Sequence, residues 1–192
     1  MPRREYISKQ DIDPSLKFWF KGEQGRLVDE ISGSAIVPTS SATCYWNSTH
    51  NAYEFKHTSA PQRCALCLFD FEVQERTGAG EVLVTTSRTY VNLFDWYPTR
   101  DGIFALESFR IGSGWHKVAQ RWYQDGSIFK REDFVDGVFV ISANYNSIVP
   151  ATTKNGLQLN VGNATFSLWS DQCMKNLKLW NRCLTTEEIA AL

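Results

Sequence analysis

The clearest pattern of apolar and polar positions lies in the last twenty residues of the chain. Residues 174–180 alternate in character. Leu177 and Leu179 fall on one side of an extended segment, and Asn176 and Lys178 fall on the other. A period of two is typical of a half-buried β-strand. The pattern therefore predicts a closing strand that packs its leucines into a core.

A short terminal helix is predicted after this strand. Thr185 is expected to be its N-cap, and Glu188, three residues later, completes a capping box. In that arrangement each side chain bonds the backbone N–H of the other residue. Asn181 and Arg182 form the corner between the strand and the helix.

Short apolar or alternating segments recur along the rest of the chain, separated by Gly, Asn, Asp and Ser. Asp136-Gly137 predicts a tight hairpin turn, and residues 77–80 (TGAG) predict another turn. Residues 38–51 are rich in Ser, Thr and Asn and predict a loop that contains Tyr45 and Trp46. Strands are predicted at 16–20, 53–55, 65–74, 81–87, 91–96, 102–109, 115–119 and 156–162. Many short strands of this kind predict an all-β fold of two antiparallel sheets packed face to face.

Composition limits the classes of function. The 192 residues suit one domain, and their formal net charge is -1 with scattered positive residues. No basic surface for nucleic acid or for an anionic membrane is therefore expected. The polar start is no signal peptide, and no apolar run is long enough to span a bilayer. Five cysteines, an odd number, favour synthesis in a reducing cytosol.

The closing strand, the corner and the terminal helix resemble the end of the laminin-G-like, concanavalin A-like jelly roll. The matching residues are Leu177, Leu179, Trp180, Asn181, Arg182, Leu184, Thr185, Glu188 and Ile189. Residues 27–33, the Trp115-His116 strand and the Asp136-Gly137 hairpin resemble further motifs of the family in the right order. Lys175 and Asn176 stand where the family usually carries an acidic pair. The resemblance implies a concanavalin A-like jelly-roll sandwich over residues 16–192. Residues 1–15 are polar and carry no period, and they are predicted to form an N-terminal arm.

Asp70, Glu72 and Glu75 are the strongest enzymatic signal in the sequence. Jelly-roll glucanases, which belong to the superfamily that this chain resembles, carry catalytic carboxylates on one strand at this spacing, but here the first two acids are interchanged. The alternative is a solvated strand face, and we expect no catalytic residues and no enzyme activity.

The sequence also contains candidate ligands for two kinds of metal site. His50, His57, Cys64 and Cys67 raise the question of structural zinc, but an extended chain would point the two thiols to opposite faces. The resemblance makes calcium possible, with loop candidates Asp29, Glu30, Asp125 and Asp136, although such acids more often shape turns. No metal and no other cofactor is predicted.

Aromatic and amide residues near predicted loops are the best candidates for ligand contact. An aromatic ring can stack on a sugar while amide groups bind its hydroxyls; the alternative is that such rings cover the core. The candidates, which we call the predicted sugar-contact residues, are Trp96, Tyr97, Asn144, Tyr145 and Asn146.

Taken together, these features predict a non-enzymatic bacteriophage virion protein, made in the host cytoplasm, with a lectin-like jelly roll that contacts host-surface glycans. The arm would dock on other virion proteins or on another copy of the chain through Arg3, Arg4 and Tyr6. The first alternative is a free or excised carbohydrate-binding module of a bacterial surface or secreted protein. The second is a glucanase-like glycoside hydrolase.

Overall fold

The computed structural model describes residues 12–36, 42–57, 75–84, 90–92, 95–96, 103–105, 112–145, 157–158 and 172–192. Within these residues the protein has twelve β-strands and one short helix. They are β1 (Leu16–Phe20), β2 (Ala42–Asn47), β3 (Ala52–His57), β4 (Arg76–Val84), β5 (Tyr90–Asn92), β6 (Asp95–Trp96), β7 (Ile103–Ala105), β8 (Gly114–Asp125), β9 (Ile128–Val135), β10 (Val138–Tyr145), β11 (Leu157–Gln158), β12 (Gln172–Trp180) and α1 (Thr186–Ala190).

All strand pairs in the described part of the chain are antiparallel. Eight strands form one sheet in the order β10-β9-β8-β4-β12-β3-β2, and β1 pairs with β12 as well. Two further pairs, β11–β6 and β5–β7, form separate two-stranded sheets. The predicted all-β antiparallel sandwich with a short C-terminal helix is confirmed.

Strand β12 changes partner along its length. Its first residues lie between β3 and β4, and its last residues lie between β1 and β4. The register with β4 shifts between Lys175 and Lys178, which marks a β-bulge. Asn176 occupies the bulge with a φ of 52°, a left-handed conformation that Asn tolerates better than most residues. Because the bulge takes up this extra residue, Met174 and Leu177 lie on the same face although they are three positions apart, and both are buried with Leu179.

The eight-stranded sheet buries side chains on both faces. The face that carries α1, which we call the helix face, contributes a core cluster with Leu16, Ala79, Ala119, Phe134, Trp180, Leu184 and Ile189. The opposite face, which we call the far face, includes the fully buried Val82, Met174, Leu177 and Leu179. A sheet that is covered on both faces fits the sandwich predicted from the sequence.

The predicted closing elements are confirmed. Thr185 caps α1: its hydroxyl accepts from the Glu188 backbone N–H at 3.2 Å, and Glu188 accepts from the Thr185 N–H at 2.8 Å. Asp136 and Gly137 form the turn between β9 and β10, with φ values of 51° and 79°. Two positive φ angles in succession are the signature of a tight hairpin turn, which explains the Asp-Gly pair.

Arg182 joins α1 to the start of the described chain. Its guanidinium donates to Glu188 at 2.7 and 2.8 Å, to Asp13 at 2.8 Å and to the Ser15 hydroxyl at 2.9 Å. Residues 12–15, placed in the arm by the sequence analysis, are therefore held against the domain. Arg3, Arg4 and Tyr6 lie outside the described residues.

One predicted turn and part of one predicted loop are wrong. Residues 77–80 lie inside β4, and residues 42–47 of the predicted loop form β2, which pairs with β3 along six residues. In β2, the aromatic residues outweigh the polar composition: Trp46 packs edge-on against Tyr53 with ring centroids 5.4 Å apart. In β4, Gly80 is needed for packing rather than for turning, because a Cβ atom there would collide with Leu177. Residues 65–74 lie outside the described residues.

Candidate functional site

A pocket of about 110 Å³ opens on the helix face between the sheet and α1. Its floor comes from β4, β8 and β9, and includes Ala79, Gly80, Ala119 and Phe134. Ile189 of α1 and Leu192 form a wall. We call this feature the helix pocket.

The floor is low because small residues lie side by side in the centre of the sheet. Ala79 is the register partner of Ala119 on β8 and of Lys178 on β12. Phe134 on β9 pairs with Ala119, and Trp19 on β1 pairs with Lys178. Large side chains thus flank a central alanine pair, which leaves a depression across the strands.

The helix closes one side of this depression. Ile189 is 3% exposed and packs with Ala79, Ala119 and Phe134 in the core cluster. At Gly137, in the β9–β10 turn, a Cβ atom would lie 3.1 Å from the Ala190 Cα. The turn therefore approaches α1 closely, and glycine provides both the positive φ and the space.

Four polar side chains line the open part of the pocket: Glu81, Lys117, Asn176 and Lys178. The Glu81 carboxylate is already engaged, because it pairs with the Lys175 Nζ at 3.2 Å and accepts from the Asn176 side-chain amide at 2.5 Å. Among the described residues, no carboxylate lies within ion-pair distance of Lys117 or Lys178. The pocket therefore presents two ammonium groups without partners of opposite charge in that part of the chain.

The Lys178 ammonium lies near two indole rings. Its Nζ lies 5.3 Å from the Trp19 ring centroid and 6.0 Å from that of Trp180. Burial lowers the pKa of Lys178, the Glu81 charge opposes this shift, and the Lys117 charge adds to it. Cation–π contact favours the charged form of the amine at this position without neutralising it.

A second polar cluster is buried on the far face of β4, β8 and β9. The Asp133 carboxylate is fully buried; it accepts from Gln120 at 2.9 Å and lies 3.2 Å from the Arg131 guanidinium. Gln120 in turn accepts from the Trp122 indole N–H at 2.9 Å. The Arg76 guanidinium lies 4.9 Å from the Trp122 ring centroid. Burial raises the pKa of Asp133 to about 6, and the Arg131 charge partly offsets that rise.

The structure places three of the five predicted sugar-contact residues. Trp96 is the last residue of β6, and Tyr145 is the last residue of β10. Asn144, beside Tyr145, is exposed. Tyr97 and Asn146 lie outside the described residues. All three placed residues are at or next to strand ends, and their role in binding stays a prediction.

The acids considered for calcium lie in separate arrangements. Asp29 is fully buried and accepts from the backbone N–H groups of Trp19, Ile31 and Ser32 and from the Ser32 hydroxyl, at 2.6 to 3.2 Å. Four donors use the acceptor capacity of a carboxylate, so Asp29 shapes its turn instead of offering oxygens to a metal. Among the described residues, no group of three or more His, Cys, Asp or Glu side chains could hold a metal ion.

The other acids of this set are also engaged locally. Asp136 accepts from the Lys117 backbone N–H at 2.9 Å and lies 2.8 Å from the His116 ring, Asp125 pairs with Lys130, and Glu30 pairs with Arg26 at 3.1 Å. Asp70, Glu72, Cys64 and Cys67 lie outside the described residues, and Glu75 is exposed just before β4. In the described part of the chain, no helix has the length and apolar character to cross a membrane.

Sequence reasoning missed the helix pocket. Lys178 was assigned to the polar side of a strand, which is correct, but that side is covered by α1. The sequence feature that points to the pocket is the run of small residues at 77–80, whose composition also fits a turn. Placed in a strand opposite β12, the same run predicts a low point in the sheet.

No protein-family model matches the chain, and no curated protein sequence matches it significantly. Solved structures match its fold. One is domain 4 of AbnA, a GH43 extracellular arabinanase from Geobacillus stearothermophilus, in complex with arabinotriose. It is 10% identical with a TM-score of 0.57, and the match covers 92% of this chain and 97% of that domain.

Toxin binding domains match as well. The structure from a study of botulinum neurotoxin type C, whose cell entry depends on interaction with two ganglioside molecules, is 8% identical with a TM-score of 0.58. That match covers 96% of this chain and 52% of the toxin chain. The binding domain of Paraclostridial Mosquitocidal Protein 1 is 10% identical with a TM-score of 0.57, with 92% and 51% covered. This chain spans about half the length of these toxin domains, and at such identities the likeness is one of fold.

Proposed function

We propose that this chain is a non-catalytic, glycan-binding β-sandwich domain. The observation that carries the proposal is the match with domain 4 of AbnA, because it spans nearly the whole of both chains and that domain was solved with arabinotriose. The structure reported with the ganglioside dependence of botulinum neurotoxin type C adds a second sugar-binding protein of this fold. The matches described above are with binding domains, which supports binding over hydrolysis.

The strand ends at Trp96 and at Asn144-Tyr145 supply suitable chemistry for binding. Trp and Tyr rings give flat apolar surfaces for sugar faces, and an exposed amide such as that of Asn144 can donate to and accept from hydroxyls. We assign the glycan contacts to the predicted sugar-contact residues.

A glycan array probed with the purified chain tests this function. We expect binding to a restricted set of glycans, and we expect Asn144→Ala and Tyr145→Ala to weaken it. Ser127→Ala, in the exposed β8–β9 turn, is the matched control. Absence of binding to every glycan would contradict the proposal.

The same glycans also test for hydrolysis. We expect no release of reducing ends during long incubation. If the chain cleaves a glycan and Glu72→Gln abolishes the cleavage, the chain is a glycoside hydrolase and the non-catalytic proposal is wrong.

For the biological setting, we propose a bacteriophage virion, with residues 1–15 as the docking arm. The support comes from the sequence: the basic and aromatic side chains of Arg3, Arg4 and Tyr6 in an otherwise polar segment. The protein should then co-sediment with assembled particles in a density gradient, and the triple alanine variant of these residues should not. The rival setting is a module of a secreted or surface glycan-degrading protein, which the AbnA match favours. Co-purification with such an enzyme, and absence from particles, would support the rival.

A further inference from the structure

The helix pocket combines an apolar floor with unmatched positive charge. The charged side chains of its lining are those of Glu81, Lys117 and Lys178. Glu81 is occupied by Lys175 and Asn176. The ammonium of Lys178 is half-buried against indole rings, where hydration is reduced and attraction to an anion is stronger than in bulk water.

The size of the pocket limits what can enter it. About 110 Å³ is below the ~300 to 1,000 Å³ that encloses a drug-sized ligand. It admits one substituent of a larger molecule and the carbons next to it. The Ala79–Ala119 floor gives those carbons an apolar surface at the foot of the α1 wall.

We propose that the helix pocket binds the carboxylate of an acidic sugar unit, such as a uronic or sialic acid, within the glycan. A single carboxylate has enough acceptor capacity for both ammonium groups, with Lys117 at the exposed edge and Lys178 deeper in the pocket as its donors. The inference rests on the proposed glycan-binding function and deepens it by naming the chemical class of the ligand.

Titration of the isotope-labelled protein followed by amide NMR tests the inference. The probes are the methyl glycosides of glucuronic acid and of N-acetylneuraminic acid. Methyl glucoside is the uncharged control, and glucose 6-sulfate is the control with a single negative charge on a sulfate instead of a carboxylate. We expect at least one carboxylated sugar to shift the amides of Ala79, Ala119 and Lys178, and the neutral glycoside to leave them unchanged. Stronger binding of the sulfate would overturn the carboxylate assignment.

Charge variants identify the donors. Lys178→Met keeps the apolar stem and removes the ammonium, and we expect it to weaken binding about tenfold, the effect of losing one charge-assisted hydrogen bond. Lys117→Gln should weaken binding less, because Lys117 is exposed. Lys178→Arg should retain binding if the charge is what matters. Lys130→Gln, which removes a lysine outside the pocket that pairs with Asp125, is the control.

The outcomes separate this inference from the proposed function. Carboxylated sugars that bind with full affinity to folded Lys178→Met, or that shift amides elsewhere, overturn the pocket assignment while glycan binding stands. If the chain binds neutral glycans and no acidic ones, the pocket assignment is likewise overturned and glycan binding stands. A chain that binds no sugar on the array or by NMR overturns both proposals.

Discussion

Gly80 shows how one residue sets the distance between two strands. A Cβ atom at this position would lie 2.3 Å from the Leu177 Cδ2 atom. Gly80 does not have a positive φ, so its role is to leave space for the leucine. Leu177 is fully buried beside it at the bulge of β12.

We therefore predict that Gly80→Ala lowers the free energy of unfolding by about 1 to 3 kcal/mol, the usual cost of overpacking a core. Chemical denaturation followed by tryptophan fluorescence measures the change. Gly112→Ala is the matched control, since a Cβ there meets nothing within 4 Å. Equal stability of the two variants would show that Leu177 moves aside without cost.

Sequence could not reveal this role of Gly80. Both turns and close strand contacts require glycine, and residues 77–80 satisfy the composition of a turn. Only the pairing of β4 with β12, far apart along the chain, distinguishes the two roles. The sequence identifies Lys117 and Lys178 as polar positions of two strands. It does not show that both line one pocket, because that depends on the pairing of β4 with β8 and with β12.

At the scale of the element, α1 is short, and its position depends on its ends. The capping box satisfies its first backbone N–H groups, Ile189 anchors it in the core, and Arg182 bonds Glu188 to the segment that begins the described chain. The hydrogen bonds from Arg182 lower the pKa of Glu188 to about 2. A carboxyl with a depressed pKa stabilises the fold above its unfolded pKa of 4.5, and this contribution is lost as the pH falls towards 2.

We predict that Arg182→Met moves the pKa of Glu188 back towards 4.5, as measured by NMR titration of the side-chain carboxyl carbon. The Thr185 N–H remains as a donor, so the return should be incomplete. Arg26→Met, which removes an arginine that pairs with Glu23 and Glu30, should leave the pKa of Glu188 unchanged. A pKa that does not rise in Arg182→Met would mean that the cap alone depresses it.

Elements with local signals were predicted well from the sequence. The alternation of β12, the capping box of α1 and the Asp136-Gly137 turn each depend on residues close together in the chain. Strand β2 was missed because its polar composition resembles a loop, while its strand character comes from cross-strand contacts such as Trp46 with Tyr53.

At the scale of the molecule, the far-face cluster links stability to pH. Asp133 is buried with its pKa raised to about 6 from 3.8. A carboxyl whose folded pKa is raised holds its proton more tightly in the folded state. It therefore favours folding most below pH 3.8, and that benefit is lost as the pH rises through about 6. The pH dependence is opposite to that of Glu188, whose contribution to stability is lost as the pH falls.

We predict that the stability of the wild type relative to Asp133→Asn rises by about 2 kcal/mol as the pH falls from about 7 to about 4, given ~1.4 kcal/mol per pKa unit for the part of the shift that this range covers. Urea denaturation across this pH range measures the difference, and the substitution removes only the titrating group. Ser127→Ala, in the exposed β8–β9 turn, removes no titrating group and is the control. A difference that does not vary with pH would indicate that Arg131 keeps Asp133 ionised.

The bulge at Asn176 has a consequence for the gene that encodes the chain. The residues on its two sides, Met174 and Leu177, are three positions apart and still point to the same face, because the bulge takes up one position. Deleting codon 176 alone would leave them two positions apart, the spacing of a regular strand, so the buried leucines would keep their face. An in-frame deletion of these three nucleotides, harmful in most buried strands, should here leave the core residues of β12 in place.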